Sequence, residues 1–388
     1  MNRSAEKLIL LVGSNPLPNY LAAQLLKPKS LSFIYSPETE QVKNYLKKVL
    51  EYMVSDIEEK GIADATDPKC VRGRVQECLG EGSRVHLHYS GGTKVMATHA
   101  RMQFREAGYD DRHASYLDER RGVLRFDDGY EISLADHNLR LTMDLIVGLH
   151  GIERKDRGDS VEQAPTAEDA EKIAKNVFAC TELARKLYDI HRENGKRVGL
   201  EKAKENPIPL SRFIPKDDEF SISNIPEADW NKRTYKKWLD FLGGGWLEQW
   251  VGEIIKGCLA GEGEVEIGVY FRRANGREFE IDVSVVRNHR FYLVSCTTDI
   301  KLTLCKSKLF EIAMRARQLG GDLARSALVC LLQGSNDKGA YVEQLRSDVA
   351  DIWNAPNTPR GFGLDDLKEW AGIDSAPDCR TLREWFNS

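Results

Sequence analysis

Short apolar runs alternate with helical periodicity from the N-terminus to about residue 135. The runs lie at 8–12, 31–35, 85–89 and 114–117. Between the second and third runs, apolar residues recur at helical spacing from Val42 to Met53, which predicts one amphipathic helix. Strands that alternate with crossover helices form a parallel sheet, so the N-terminal part is predicted to be a Rossmann-like α/β domain.

The pattern changes after residue 122. Apolar runs at 123–126 and 130–134 flank Asp127-Asp128-Gly129, so the sheet is predicted to end in an antiparallel hairpin. A charged stretch with Gly and Pro follows, after which Thr166 is placed to cap one long helix. The apolar stripe of that helix is at 173, 177, 180, 184 and 187. We divide the chain into a first domain at 1–150, a helical connector at 151–228 and a second α/β domain at 229–388.

Small polar turns follow three of the predicted strands, at 13–18, 36–39 and 90–94. Ligands bind open parallel sheets beyond the carboxyl ends of the strands, where these turns would meet. Glycine N–H groups, hydroxyls and Lys94 at a helix start suit a phosphodiester ligand. Neither GxxxxGK[ST] nor GxGxxG occurs here, which argues against nucleoside triphosphates and dinucleotides. The structural alternative is that each turn is an ordinary helix cap.

These turns carry a family resemblance. The segments YSGGTKVM (89–96), VGSNP (12–16) and YSPET (35–39) resemble the CRISPR-associated Rossmann-fold (CARF) sensor domain. The likeness is closest to members that carry a C-terminal PD-(D/E)XK-type nuclease domain and act in type III CRISPR immunity, and it covers roughly 5–135 and 240–335. It implies a homodimer that shares one cyclic oligoadenylate, most often cyclic tetra-adenylate, across a two-fold axis. The ligand contacts carried over are Ser14, Asn15, Thr39, Gly91, Gly92, Thr93, Lys94 and Met96, with Asp118 as a further candidate.

The second domain has three informative patterns. An amphipathic helix after Gly243-Gly244-Gly245 carries Glu248 on the flank of its apolar face. The alternation of 278–285 puts Glu280 and Asp282 on one face of a strand. A two-residue turn would pair residue 287 with residue 290, which sets Asp282 opposite residue 295 and Glu280 opposite residue 297.

The nuclease resemblance implies that a helix carboxylate, a strand Asp and an acid-x-Lys pair hold Mg²⁺ or Mn²⁺ for phosphodiester hydrolysis. Glu248 and Asp282 match as metal ligands, whereas Ser295 and Thr297 stand where the second acid and the lysine are expected. Glu280 could replace the acid. The cation could come from Lys301, Lys306 or Lys308. The catalytic set is therefore Glu248, Asp282, Glu280 and Lys308, and the alternative is a solvated strand face.

Composition limits the remaining possibilities. The 388 residues are 41% hydrophobic and 30% charged with a net charge of −4, so nucleic-acid binding would need a local basic patch. Arg315, Arg317 and Arg325 are candidates for it. The eight cysteines lack metal-site spacing and are predicted to be reduced. No apolar stretch is long enough to span a bilayer, so we expect a cytoplasmic protein without a membrane segment.

Two functions follow from these patterns. The leading hypothesis is a homodimeric, cyclic-oligoadenylate-activated, metal-dependent nuclease of type III CRISPR antiviral defence that cleaves DNA, RNA or both. The alternative is a cyclic-oligoadenylate-binding regulatory protein whose nuclease-like domain is inactive and serves as an interaction platform. A transcriptional regulator ranks below both, because no helix-turn-helix pattern with a basic recognition helix follows residue 230.

Overall fold

Parallel strands dominate the N-terminal domain of the computed structural model, which describes residues 3–79, 84–139, 141–155, 164–197, 232–334, 341–354 and 357–388. The strands of its sheet are β1 (Lys7–Leu11), β2 (Ser30–Tyr35), β3 (Asp56–Gly61), β4 (Val85–His88), β5 (Ala114–Asp118), β6 (Val123–Phe126) and β7 (Glu131–Ser133). Their order is β3-β2-β1-β4-β5-β6-β7. The first five are parallel and the last two antiparallel, which confirms the predicted parallel sheet and its hairpin.

Helices cover both faces of this sheet. They are α1 (Leu17–Leu26), α2 (Glu40–Leu50), α3 (Pro68–Cys78), α4 (Lys94–Glu106) and α5 (Met143–Gly148). The predicted stripe from Val42 corresponds to α2, which ends at Leu50, so Met53 lies beyond the helix. Leu46 and Leu50 are fully buried under it.

Strand β3 was not predicted, because its sequence DIEEKG is almost entirely polar. It lies at the edge of the sheet, where one side of the strand has no neighbour among the described residues. Glu58 pairs with Lys7 at 3.1 Å, and Glu59 pairs with Lys43 and Lys47. An edge position lets a charged strand keep its side chains solvated or paired.

The second sheet has the order β13-β12-β11-β10-β9-β8. Its strands are β8 (Ile152–Arg154), β9 (Glu264–Arg273), β10 (Glu278–Arg287), β11 (Arg290–Thr297), β12 (Ala324–Cys330) and β13 (Arg360–Phe362). The β8, β9, β10 and β11 neighbours are antiparallel, and β11, β12 and β13 are parallel. The predicted α/β fold class with two sheets is confirmed. The first strand of this sheet comes from the segment predicted as connector.

Helices of the connector and second domain pack on that sheet. They are α6 (Ala167–Ala179), α7 (Glu182–Arg197), α8 (Lys232–Asp240), α9 (Trp246–Leu259), α10 (Leu302–Gly320), α11 (Tyr341–Trp353), α12 (Leu364–Ala371) and α13 (Arg380–Asn387). Thr166 caps α6 as predicted, because its hydroxyl accepts a bond from the Asp169 N–H and the Asp169 carboxylate accepts one from the Thr166 N–H. The prediction of one long helix was wrong, because Cys180 leaves the helical conformation and separates α6 from α7. The boundary predicted at 228/229 lies outside the described residues.

Apolar packing connects the two domains. One cluster runs from Leu8 and Leu21 through Ile146 to Leu309 and Phe271. A second cluster joins α6, α7 and α9 to the opposite face of the second sheet. Across the described ranges, no helix combines the length and apolar character needed to cross a bilayer.

Candidate functional site

Two loops meet at the carboxyl edge of the first sheet through their backbones. A Cβ placed on Gly91 would lie 2.0 Å from the Leu11 carbonyl oxygen, and one on Gly13 would lie 2.7 Å from the Gly92 nitrogen. Only glycine allows so close an approach. Because β1 and β4 are adjacent, this contact sets the loop after β1 against the loop after β4.

The loop after β4 presents a helix start and a cation to solvent. Thr93 caps α4 by accepting a hydrogen bond from the Met96 N–H at 3.1 Å, and its hydroxyl donates to the Ala65 carbonyl at 3.2 Å. Lys94 is exposed in the first turn. Ser90 accepts a bond from the Leu117 N–H at 2.5 Å, which ties this loop to β5. The arrangement suits an anion, since N–H groups and a positive charge share one open edge.

Several predicted contacts already have partners within the chain. Asn15 accepts a bond from the Leu17 N–H at 3.1 Å, and Thr39 forms a capping box with Ser36. Met96 is buried beneath Gly92, so its side chain supports the loop from below. Ser14 is exposed, Gly91 and Gly92 are partly exposed, and Asp118 accepts a bond from the Arg121 N–H at 3.2 Å. Among the predicted ligand contacts, the exposed side chains are thus Ser14, Thr93 and Lys94.

The second candidate site is a cleft of about 630 Å³ in the C-terminal domain. Glu248 reaches it from the first turn of α9, and Lys308 reaches it from α10. Asp282 lies beside it on β10, where Ser295 Oγ donates at 3.0 Å and the Cys296 N–H donates at 2.6 Å to the same oxygen, Oδ2. The predicted turn pairing of Arg287 with Arg290 is confirmed.

The charges in this cleft perturb one another. Burial, followed by the negative charges of Asp282 and Glu280, raises the pKa of Glu248 to about 8. Burial also raises the pKa of Asp282, although the Cys296 N–H, Ser295 and Lys308 oppose the rise. The positive charge of Lys308 therefore acts on both carboxyl groups. Perturbed carboxyls in a cleft mark a candidate catalytic site.

The three candidate lysines have different positions. Lys306 forms an ion pair with Asp348 of α11, which directs its charge away from the cleft. Lys301, just before α10, and Lys308 both line the cavity. Only Lys308 acts on the two carboxyls in the interactions described above. Ser295 and Thr297, at the positions of the expected acid-x-Lys pair, instead hydrogen-bond Asp282 and the Asp299 N–H.

Helix α7 supplies a wall of the cleft that sequence reasoning missed. Arg185, Tyr188 and Arg192 all line the cavity from this helix. Tyr188 is 47% exposed. Their spacing places them on the side of α7 that faces away from the buried residues Leu183 and Leu187. The helical spacing of these three residues is visible in the sequence, but no local pattern indicates that the polar side of α7 faces a cleft.

The arginines predicted as a phosphate patch lie apart from this wall. Arg315 donates to the Glu280 carbonyl at 2.8 Å, and Arg317 lies 3.9 Å from Asp322. Arg325 is buried and donates to backbone carbonyls, including that of Asp322 at 3.1 Å. The arginines that line the cleft are instead Arg185 and Arg192 of α7, and Arg192 pairs with Asp189 of the same helix at 3.3 Å.

The edge that carries the ligand loops touches the second domain. Glu119, one residue beyond β5, accepts a bond from the Asp322 N–H at 2.5 Å. A Cβ on Gly321 would lie 2.4 Å from Glu119 Oε2 and 2.7 Å from Asn15 Nδ2. These contacts follow directly after α10, the helix that carries Lys308. His289 is buried nearby against Gly122, and burial lowers its pKa to about 4.

Comparisons with known proteins show the fold. Can2 from Sulfobacillus thermosulfidooxidans, solved in complex with cyclic tetra-adenylate, aligns over 98% of this chain and 99% of its own at 16% identity and a TM-score of 0.68. Protein VC1899 from Vibrio cholerae aligns over 98% of both chains at 15% identity and a TM-score of 0.69. This chain shares their fold. No protein-family model matches the sequence, and no curated protein does.

A third solved structure matches this chain over only about half of its own length. It is a type III CRISPR defence DNA nuclease activated by cyclic oligoadenylate. The alignment covers 92% of this chain but 53% of that nuclease, at 17% identity and a TM-score of 0.53. The likeness to Can2 and VC1899 covers 98% of this chain, so the shared fold extends over both sheets.

Proposed function

We propose that this chain is a cyclic-oligoadenylate-activated, metal-dependent nuclease of type III CRISPR antiviral defence that cleaves DNA, RNA or both. The observation that carries the proposal is the convergence of Glu248, Asp282 and Lys308 at one cleft although the acid-x-Lys pair is absent. Can2, with the same fold, was solved with cyclic tetra-adenylate bound.

The ligand would bind at the edge formed by the loops after β1 and β4. Lys94 and the N–H groups at the start of α4 would hold phosphate, while Ser14 offers a hydroxyl and Thr93 holds the start of α4 in place. A cyclic tetra-adenylate has rotational symmetry, so two copies of this edge would face one ligand in a homodimer. The third turn, with Thr39 in its capping box, borders the same edge.

The carboxylates fit a divalent cation in charge, but they supply few ligands. The negative charge of Asp282 raises the pKa of Glu248, and a cation between the two carboxylates would relieve that repulsion. Groups of three or more potential metal ligands do not occur among the described residues, so water and substrate would complete the shell. When bound, Mg²⁺ or Mn²⁺ would polarise the phosphodiester and activate water.

The residues of the chain have separable roles in this reaction. Ser295 and the Cys296 N–H hold Asp282 in one orientation through Oδ2. Lys308 would face the charge that develops on the phosphate. Arg185 and Arg192 on α7 would bind flanking phosphates of the nucleic acid. Glu280 contributes negative charge, and its backbone carbonyl is held by Arg315.

One assay tests the proposal. Plasmid DNA, single-stranded DNA and single-stranded RNA are incubated with the protein and Mn²⁺, with or without cyclic tri-, tetra- or hexa-adenylate. We expect ligand-dependent cleavage that stops with a chelator and with Asp282→Asn. Glu278→Gln is the control on the same strand, since Glu278 pairs with Lys155 and Arg272 outside the cleft.

The ligand site is tested separately by Lys94→Ala. Loss of one charged hydrogen bond of about 1.5–3 kcal/mol should weaken cyclic tetra-adenylate binding by about tenfold to a hundredfold in calorimetry. Lys29→Ala is the control, because Lys29 is exposed just before β2, at the amino ends of the parallel strands and therefore away from the ligand loops at their carboxyl ends. Unchanged affinity in Lys94→Ala would contradict the assigned site.

A second function is favoured by one observation. Ser295 and Thr297 occupy the positions of the expected acid and lysine, as in a nuclease-like domain that has lost catalysis. Ligand binding without cleavage of any substrate would establish this regulatory role. Cleavage that persists in Asp282→Asn would instead place the active site elsewhere.

A further inference from the structure

A cavity of about 440 Å³ lies at the end of the second sheet that is remote from Glu248 and Lys308. Arg325 near the start of β12 and Arg360 at the start of β13 line it, together with residues of α13. The strands β11, β12 and β13 are parallel, and the candidate catalytic cleft lies at the carboxyl end of β11. The cavity at their amino ends is therefore separate from that cleft.

Arg325 brings a buried positive charge to this cavity. Its side chain is oriented by backbone carbonyls, since it donates to those of Asp322 at 3.1 Å, Ala324 at 3.3 Å and Ser388 at 3.4 Å. It is only 7% exposed, and within the described ranges no carboxylate forms an ion pair with it. Burial, followed by the like charge of Arg290, lowers its pKa to about 10, so it remains charged at neutral pH.

Arg360 adds a second uncompensated charge. It is partly buried, and its guanidinium lies 5.8 Å from the centre of the Phe362 ring. Among the residues that the structure describes, none forms a hydrogen bond or an ion pair with it. The charges of Asp366 and Glu343 reach Arg360, but both acids already pair with Arg346, at 2.8 and 2.5 Å.

The acid that lines the cavity is Glu384, an exposed residue of α13. Two arginines against one glutamate leave a net positive charge among the lining residues. A basic cavity of about 310 Å³ in the first domain differs in this respect. Each of its three arginines has an acid within ion-pair distance, and these pairs are Arg3 with Asp128, Arg84 with Glu6 and Arg112 with Asp110.

We propose that the cavity at the amino ends of β12 and β13 binds a nucleoside monophosphate, with the phosphate held by Arg325 and Arg360. Guanidinium groups form paired, charge-assisted hydrogen bonds with phosphate oxygens, and a phosphate monoester would compensate both charges. Glu384 would accept a hydrogen bond from a sugar hydroxyl or a base amine, a donor that phosphate alone lacks. The volume falls in the range of about 300–1,000 Å³ that small-molecule sites occupy.

The wall formed by α13 is well anchored. Thr381, Glu384 and Trp385 lie three and four residues apart, so they share the side of α13 that lines the cavity. Trp385 packs against Tyr292 of β11 and Phe362 of β13, which holds this helix on the sheet. The site is therefore formed by packed elements and does not need a partner chain to complete it.

The experiment titrates the full chain with AMP, GMP, CMP and UMP in a calorimeter, with adenosine and inorganic phosphate as reference ligands and without divalent cations. We expect at least one nucleotide to bind more tightly than phosphate, and adenosine to bind more weakly than AMP. Arg360→Gln should weaken nucleotide binding by about tenfold or more, because a charged hydrogen bond is lost. Arg360→Lys keeps the charge and should retain part of the affinity. Arg383→Gln is the control, since Arg383 is an exposed α13 residue outside the cavity.

Glu384→Gln tests the arrangement of charges. It should strengthen the binding of inorganic phosphate, because a negative charge beside the anion is removed. It should also reduce the preference for the nucleotide over phosphate. A role for Glu384 in the fold alone would leave that preference unchanged.

Four results would overturn the proposal. They are no binding of any nucleotide, equal affinity for phosphate and the nucleotides, unchanged nucleotide affinity in Arg360→Gln, and binding that is lost in Lys94→Ala or Asp282→Asn but kept in Arg360→Gln. The last result would place the nucleotide at one of the two sites described above. Circular dichroism checks that each variant folds. These measurements need neither cyclic oligoadenylate nor cleavage, so they are independent of the proposed function.

Discussion

Glu248 should make the stability of the protein depend on pH in the neutral range. Its pKa is raised to about 8 in the folded chain, against an ordinary value of 4.5. The folded state therefore binds a proton that the unfolded state has released. This contribution is complete below about pH 4.5 and is lost as the pH rises through 8.

The size of the effect follows from the pKa difference. At about 1.4 kcal/mol per pH unit, this pKa difference would correspond to about 5 kcal/mol in the free energy of unfolding if Glu248 were completely shielded from solvent. Glu248 is only partly shielded at the cleft, so we expect about 2 kcal/mol. The side chain of Glu248→Gln cannot ionise, so this variant should not lose that stability as the pH rises. Its melting temperature should exceed that of the wild type by about 2–3 °C at pH 8.5, and by less at pH 6, given an unfolding entropy of about 2.1 cal/mol/K per residue over 388 residues.

The assay is thermal unfolding at both pH values by circular dichroism. Glu171→Gln is the control, because Glu171 is an exposed α6 residue paired with Lys175. Mn²⁺ should reduce the loss in the wild type if the carboxylates bind the cation. An equal melting difference between wild type and Glu248→Gln at pH 6 and pH 8.5 would refute the reasoning.

Three further predictions follow. Gly91→Ala should lower the free energy of unfolding by about 1–3 kcal/mol, since the added Cβ would lie 2.0 Å from the carbonyl oxygen of Leu11 in β1. Gly73→Ala is the control and should not destabilise the fold, because the space around Gly73 is open. Chemical unfolding of both variants measures the difference. Glu119 accepts a bond from the Asp322 N–H, and we expect this contact to couple the ligand-binding edge of the first domain to the second domain. Glu119→Gln should therefore keep ligand affinity but lower ligand-stimulated cleavage. Unchanged stimulation would argue against this coupling. Tyr188→Ala should weaken binding of single-stranded DNA by about 1–3 kcal/mol in fluorescence anisotropy, while Tyr52→Ala, 89% exposed outside the cleft, should leave it unchanged.

Local patterns in the chain were sufficient for many elements. Apolar runs located β1, β2, β4 and β5, and the two-residue turn predicted the register of β10 with β11. Thr166 marked the start of α6. These features depend on hydrogen bonds and periodicity within a few residues, so the sequence by itself determined them.

Other features depend on contacts between distant parts of the chain. Strand β3 is polar because it lies at a sheet edge, and Gly91 is needed because another loop approaches its backbone. Lys308, rather than Lys306, acts on the carboxyls of the cleft because Lys306 pairs with a helix that comes later in the chain. The arginines of α7 line the cleft only because α7 packs against α8 and residues 241–245. Local sequence determined most of the elements, with β3 and the break between α6 and α7 as exceptions. The tertiary structure decided which charges share a cleft, because Coulomb interaction and burial depend on distance in space and not along the chain.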